Sequence, residues 1–542
     1  MFRSSRRRGV SWLEPGRRRR RRPPVLPLAI LIALLAAGGA VGYVLRERAS
    51  DRAELRDTAV RFVAAWERGD TAAMYRELDA DARSKYSARR FAADYRTAAE
   101  RATVRRVAAG RASEAREGRV TVPVAVRTRL FGTLRGRVAL PVTRAGEHVG
   151  VRWRPYLRLP GLRPGERVRR LIRLRPQRAS VLDADGHRLA DEPAAQPIVG
   201  RPPAGGDPGF GLEARYDDRL GGRPSAELRF GTRRIAATRA RRGRSVRATI
   251  RPALQRAAVA ALGDRLGGVA VLRPRDGAVL ALSGLAVSAP QPPGSTFKIV
   301  TVSGALANGI ATPSSGYPVQ TAATLSGVRL ANASNESCGG SLATSFAHSC
   351  NSVFAPLGAK LGARRLVRLA EAYGFNEKPR LPGERPSTIA RDLKDDLAVG
   401  SAAIGQERDL ATAVQMASVG ATIANRGVRA RPRIVASERP RRRRVVSRRV
   451  AGQVRDMMVG VVSGGTGGAA ALPGIDVAGK TGTAELRPTG GGPIDPKNTD
   501  AWFVAFAPAS SPRVAVAVML VGAGQGGATA APIAREVLAA AL

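Results

Sequence analysis

The run PPGSTFKIVTVSGALANG at residues 292–309 decides how the rest of the chain is read. Pro292-Pro293-Gly294 predicts a turn, and Ser295-Thr296-Phe297-Lys298 then opens an apolar helix that continues to about Ala307, with Asn308-Gly309 as its stop. A Ser and a Lys three apart on a helix share one face, roughly 5–6 Å apart at Cβ. A serine hydroxyl attacks a carbonyl only with a base beside it. A buried Lys can be that base, because desolvation favours its neutral form. The helix N-terminus adds a positive field at the same point. Taken alone, S-x-x-K is a common surface tetrapeptide. Here, however, none of the other six Lys has a Ser three residues before it, and Ile299-Val300-Thr301-Val302 is too apolar for a surface helix.

Two further motifs lie downstream. Ser349-Cys350-Asn351 follows a short helical run. Its Ser can relay a proton and its Asn can donate to and accept from a peptide amide, although helix capping explains both residues equally well. Gly479-Lys480-Thr481-Gly482-Thr483 reads as a strand with glycines where a ligand backbone would approach. Residues 474–481 also fit a phosphate-loop pattern formally. The spacer is strand-like, though, and Gly482 interrupts the helix that such a loop requires. Residues 500–507 and 514–521 read as apolar strands, residues 532–542 as a closing helix, and residues 268–272 and 278–282 as a hairpin around Asp276-Gly277.

Composition narrows the alternatives. The chain has 542 residues, enough for several folded units. Two cysteines and three histidines (His148, His187, His348) supply no spaced metal-ligand cluster, so no metal and no cofactor is expected. The net charge is +47, with only seven Lys beside 83 Arg, which reads as a GC-rich genome. The Arg is scattered through every segment without a recognition motif, so nucleic-acid binding is not expected and attraction to anionic lipid or wall polymer is.

At the N-terminus, residues 1–24 carry ten Arg, and residues 25–45 then run without a charge. That length spans a bilayer, and the flanking charge puts the tail in the cytoplasm and the rest outside. A cleaved signal peptide is the rival reading, but the apolar run is long for one. Residues 51–110 read as helices, with Leu55, Ala59, Phe62, Val63 and Trp66 on one face. Alternation at Val120, Val122, Val124 and Val126 begins a meander with further strands at 129–134, 137–142 and 149–153, so a small α+β domain is expected. Residues 154–248 read as an extended module with little core of its own.

The three motifs in this order resemble those of penicillin-binding transpeptidases and serine β-lactamases. PPGSTFK, SCNSVFAPLGAKLG, AIGQ at 403–406, GKTGTAE and DAWFVAFAP all look like that domain and together cover residues 250–542. Residues 153–165, 178–190 and 211–220 resemble the pedestal, or dimerisation, region of class B penicillin-binding proteins. Residues 51–150 are similar to the NTF2-like extension of the methicillin-resistance type.

The resemblance implies a multidomain α/β (α+β) protein. Its parts are a basic tail (1–24), a transmembrane helix (25–45), an NTF2-like domain (51–153), a pedestal (154–248) and a transpeptidase domain (249–542) with an antiparallel sheet flanked by helices. The implied activity is serine D,D-transpeptidation at the membrane of a GC-rich Gram-positive bacterium. A D,D-carboxypeptidase, a β-lactamase or a β-lactam sensor is the alternative. Ser295 would be the nucleophile, Lys298 its base, Ser349 the proton relay and Lys480 the fixed charge. Asn351, Thr481, Gly482 and Thr483 would hold substrate, with the backbone N–H groups of Ser295 and Thr483 as the oxyanion hole. Stem peptides, β-lactams, the membrane and a polytopic membrane glycosyltransferase are the implied partners. Three departures stand out: the middle residue of the second triplet is Cys350 where the β-lactamase form has Asp, Arg178-Ala179-Ser180 replaces the Arg-Gly pair common in the pedestal, and residues 282–292 are short for the domain, so one rim of the cleft should differ. Cys338 and Cys350 flank one short segment of a chain expected to lie outside the cell, so a bridge is expected over two free thiols.

Overall fold

The computed structural model describes residues 28–406, 408–486 and 495–542, and in the first helix the side chains of Arg46 and of residues from 49 onward. The expected basic tail and the side chains of the expected membrane segment, residues 25–45, lie outside the described residues. Among the described residues no helix is long and apolar enough to cross a membrane.

The chain divides into two compact units, the first made of residues up to Arg175 together with Pro224–Arg239, and the second of Pro176–Arg223 with Ala240–Leu542.

In the first unit the helix Leu28–Arg68 ends at Gly69, and short helices Thr71–Arg76, Ala80–Lys85 and Ala88–Ala102 follow. Asp70, Asp79 and Ser87 each cap one of these by accepting a first-turn N–H. The helices cover one face of an antiparallel sheet whose strands Val104–Ala109, Arg119–Thr128, Thr133–Ala145 and His148–Val151 lie in sequence order. Val120, Val122, Val124 and Val126 are buried in the shared core, as their alternation predicts. Trp153 anchors an aromatic group with Tyr86, Phe91 and Tyr95, and its indole N–H donates to the Tyr95 hydroxyl at 3.2 Å.

The sequence reading differs from this unit in two places. Residues 104–109 were expected to be helical and form a strand, because Thr103 turns left-handed (φ 54°) and ends the helix. The two strands expected at 129–134 and 137–142 are one strand, Thr133–Ala145. Gly136 does not break it. It stands opposite Val124, where a Cβ would come within 2.9 Å of the Pro160 ring. The glycine answers to packing rather than to a turn.

The residues expected as the pedestal, 154–248, are shared between the units. Val168–Leu174, Ser225–Phe230 and Arg233–Thr238 form a three-stranded sheet whose buried face joins the first unit's core. Val181, Leu189, Ile198, Leu212, Leu220 and Val246 join the second unit's core. Arg178 holds the 211–220 segment there, donating to Asp217 at 2.7 Å and to Glu213 at 2.8 Å.

The second unit is built on a five-stranded antiparallel sheet in the order Ala278–Gly284, Gly267–Arg273, Val514–Leu520, Thr499–Ala507, Ala478–Glu485. Every residue of Thr499–Ala507 is buried, because successive side chains enter two different cores. Phe503 and Ala505 face the helices Pro252–Leu262 and Gly526–Ala541, whereas Trp502, Val504 and Phe506 face Lys298–Ala307 and Ala413–Ala424. The closing helix starts at Gly526, six residues before the expected Pro532, which lies inside it. A Cβ at Gly526 would meet the main-chain oxygens of Trp502 and Gly482, so the helix reaches this close to the sheet only through glycine.

Candidate active site

Three stretches far apart in the chain converge at the edge strand Ala478–Glu485. The turn Gly294–Phe297 is a single 3₁₀ turn that runs directly into the helix Lys298–Ala307. Side chains three apart eclipse in a 3₁₀ turn, so Ser295 and Lys298 face the same way. Ser295 is half-buried, whereas Thr296, Phe297 and Lys298 around it are buried. Thr296 ties the turn down by donating to the Pro293 carbonyl at 2.6 Å, and the Gly294 N–H donates to the Gly405 carbonyl at 2.9 Å. Gly294 has φ +51°, and a Cβ there would lie 2.9 Å from the Thr483 oxygen. The main-chain groups of Thr483 therefore point away from the neighbouring strand and toward the turn that carries Ser295.

Ser349 lies in the connection between helices Leu342–Ala347 and Asn351–Leu361, in the left-handed region at φ +63°. A non-glycine residue there costs about 1–3 kcal/mol and persists only when its surroundings fix it. Several contacts do so. Cys350 is bridged to Cys338 by a disulfide, and the Lys298 ammonium nitrogen Nζ donates to the Ser349 carbonyl at 2.6 Å.

The two lysines meet at the Ser349 hydroxyl. Lys298 Nζ lies 3.3 Å from Ser349 Oγ and donates to Asn351 Oδ1 at 2.7 Å. Lys480 Nζ lies 2.9 Å from the same Oγ and 3.0 Å from the Thr481 carbonyl. Asn351 is held in turn by the Ala331 carbonyl, to which its Nδ2 donates at 2.8 Å. Both lysines are fully buried, and each ammonium stands about 5.5 Å from an aromatic ring centre, Lys298 from Phe354 and Lys480 from Phe346. Burial pushes Lys298 well below an ordinary lysine, and the charge of Lys480 pushes it further down. Burial alone brings Lys480 down to about 7.

The expected residues Ser349, Asn351, Lys298, Lys480 and Thr481 thus share one hydrogen-bonded cluster, and the turn bearing Ser295 packs against the same strand at Gly482 and Thr483. A Cβ at Gly482 would come within 2.9 Å of Thr296 Cγ2 and of Trp502 Cβ, so glycine is what lets the turn and the strand close up.

Sequence reading missed two residues. Thr466 bonds its hydroxyl to that of Thr481 at 2.6 Å and so fixes a group at the strand's edge. Asn332 is buried and accepts the Ser352 N–H while donating to the carbonyls of Gln320 and Glu336, which braces the loop behind Ser349. The glycines on both sides of Thr466 were a readable signal, since a Cβ at Gly465 would strike the Ala347 oxygen. Asn332 carried none.

A serine on a turn before a buried lysine, a second serine between two amines, and an edge strand beside them are the groups that acyl transfer through a serine requires. The chain belongs to the penicillin-binding protein transpeptidase family: the family model of the penicillin-binding protein transpeptidase domain matches residues 267–539. A second model, the NTF2-like N-terminal transpeptidase domain, matches residues 55–166. Among curated proteins, the chain is 35% identical over 405 residues to the peptidoglycan D,D-transpeptidase PbpA of Mycolicibacterium smegmatis, which covers 61% of this chain and 79% of that protein. The PbpA of Mycobacterium tuberculosis is 34% identical over 60% of this chain and 77% of its own length. Among solved structures, the penicillin G acyl-enzyme complex of M. tuberculosis penicillin-binding protein A is similar with a TM-score of 0.57 and 29% identity over 68% of this chain and 99% of that one. The D,D-transpeptidase domain of an Eggerthella lenta peptidoglycan glycosyltransferase has a TM-score of 0.59 at 30% identity over 68% of this chain and 98% of that one.

Proposed function

We propose that this chain is a peptidoglycan D,D-transpeptidase that cross-links stem peptides through an acyl-enzyme on Ser295 and is acylated there by β-lactams. The observation that carries the reading is the pair of buried lysines meeting at Ser349 Oγ, at 3.3 and 2.9 Å.

Two buried ammonium groups on one hydroxyl repel each other, so one amine is neutral. Lys298 is that one. As a neutral amine it spends its two N–H bonds on the Ser349 carbonyl and Asn351 Oδ1, and its lone pair remains to take the Ser295 proton. The Ser295 oxygen then bonds to the carbonyl carbon of the penultimate D-Ala. The N–H groups of Ser295 and Thr483 receive the oxyanion. As the C–N bond to the terminal D-Ala breaks, Ser349 hands its proton to the leaving amine and is resupplied by the lysine ammonium groups beside it. An amine of a second stem peptide next attacks the ester. It loses a proton to the same relay, and Ser295 leaves with its hydroxyl restored. Lys480, with Thr481 and Thr483, meets the terminal carboxylate, and the strand, which is the last of the sheet, takes the extended peptide by main-chain pairing along its outer side.

On this reading residues 1–24 are a cytoplasmic tail, 25–45 a single membrane span, 51–153 the NTF2-like domain, 154–248 the pedestal and 249–542 the extracytoplasmic catalytic domain, which works beside a polytopic membrane glycosyltransferase. The test is turnover of a pentapeptide donor with and without an added D-amino-acid acceptor. The account expects D-Ala release with acceptor incorporated into the product. Hydrolysis that ignores the acceptor at every concentration contradicts it.

A further inference from the structure

Thr466 lies just past the helix Arg448–Gly464 and bridges the segments that carry Ser349 and Lys480. Its N–H donates at 3.2 Å to the Ala347 carbonyl, two residues before Ser349. Its hydroxyl stands 2.6 Å from that of Thr481, the residue after Lys480. The main chain reaches this position only between glycines. A Cβ at Gly465 would run into the Ala347 oxygen, and one at Gly527 would run into the Thr466 oxygen. Thr466 is nevertheless exposed, whereas Thr481 is buried. An exposed threonine has water for a partner, yet this one is aimed inward at a second hydroxyl. Its other acceptor among the described residues, the Ala347 oxygen, is farther off, at 3.3 Å.

A hydroxyl carries one proton and two lone pairs, so the bonds around Thr481 can be counted. At 2.6 Å one of the two hydroxyls donates to the other. In one arrangement Thr466 donates to Ala347 and Thr481 donates to Thr466, which uses up the Thr481 proton. In the other, Thr466 donates to Thr481. Lys480 Nζ lies 3.5 Å from the same Thr481 oxygen, on hand for its second lone pair. Both lone pairs then face donors. The Thr481 proton is what remains for a ligand, and the ligand must bring an acceptor. Passing from the first arrangement to the second gives up only the 3.3 Å bond. It leaves no carbonyl without a partner, because the Ala347 oxygen keeps the Thr466 N–H. An anionic acceptor favours the second arrangement, since hydroxyls that donate in series toward a charge strengthen one another.

We propose that Thr466 is a positioning residue for the carboxylate end of the donor peptide: its hydroxyl donates to Thr481 and so directs the Thr481 proton outward at that carboxylate. The inference rests on the reading of Thr481 as a carboxylate-binding group and adds the residue that orients it. The full chain is acylated with benzylpenicillin and with benzylpenicillin methyl ester, which lacks the carboxylate charge. Thr466→Val keeps the shape and removes the hydroxyl, and Thr466→Ser keeps the hydroxyl. Thr466→Val should lose about tenfold or more in acylation by the free acid, the loss expected for one hydrogen bond to a charged group. The loss should lie in the binding of penicillin rather than in the limiting rate of acylation. Acylation by the ester should be unchanged, as should the thermal unfolding transition, because the position is exposed. Thr466→Ser should react with the free acid like the unmodified chain. Equal loss with acid and ester would make Thr466 a brace for the fold and overturn the proposal. So would no loss with either, or a serine variant as poor as the valine one. An unmodified chain that benzylpenicillin does not acylate at all would instead remove the proposed function, and this inference with it.

Discussion

Replacing Lys480 with Met should make the protein more stable and nearly inactive at once. Lys480 is fully buried, and its amine falls from an ordinary 10.5 to about 7 because burial penalises the charge. At about 1.4 kcal/mol for each tenfold change in proton affinity, the fall from 10.5 to about 7 corresponds to about 5 kcal/mol of opposition to folding in acid. The sign follows from proton binding. Above about pH 10.5 the amine is neutral in both states and costs nothing. Between pH 10.5 and 7 the unfolded chain holds a proton that the folded chain does not, so the penalty grows as pH falls. Below 7 both states are protonated and it levels off. Methionine has a similar volume and no charge, so Lys480→Met removes this cost but also the bonds to Ser349 Oγ and the Thr481 carbonyl. A net gain of about 2–4 kcal/mol at pH 7, vanishing near pH 10, is expected. Acylation by penicillin should drop by about 10²-fold or more, because a donor fixed at the reacting centre is lost. In the unmodified protein acylation should decline as pH rises through about 7, where Lys480 loses its charge. Denaturant titrations across pH 6–10 with parallel acylation rates check all of this. A stability difference that does not change with pH would show that burial of the Lys480 charge does not oppose folding.

Gly482→Ala should lower acylation at least tenfold while leaving the circular dichroism spectrum unchanged, because its Cβ would press the strand off the Thr296 turn, 2.9 Å away. Cys338→Ala/Cys350→Ala should cost about 2–4 kcal/mol by chemical denaturation, the usual worth of a bridge closing a loop of this size. It should also slow acylation, since Ser349 at φ +63° loses its tether; unchanged acylation would show that the turn is fixed without the bridge.

Much of the catalytic unit was legible because its chemistry sits on regular elements. Ser295 and Lys298 announce themselves by helical spacing, and the strand around Lys480 by its glycines. Val120 to Val126 showed their alternation because one face of that sheet is buried. What stayed hidden depends on long-range contact. No local pattern says that Gly136 accommodates Pro160, or that Thr103 ends a helix so that Val104 can pair with Thr128. Asn332 looks like any loop asparagine until the chain brings residues 320, 336 and 352 around it. Residues 154–248 read as having little core of their own for a physical reason: their apolar side chains are divided between two cores built mostly by other segments.

The most direct test labels the protein with a fluorescent penicillin and compares the unmodified chain with Ser295→Ala. The account predicts a stable covalent band that disappears in the variant while its unfolding transition is retained. A band of equal intensity in the variant would show that another residue carries the acyl group, and the assignment of the site would fall.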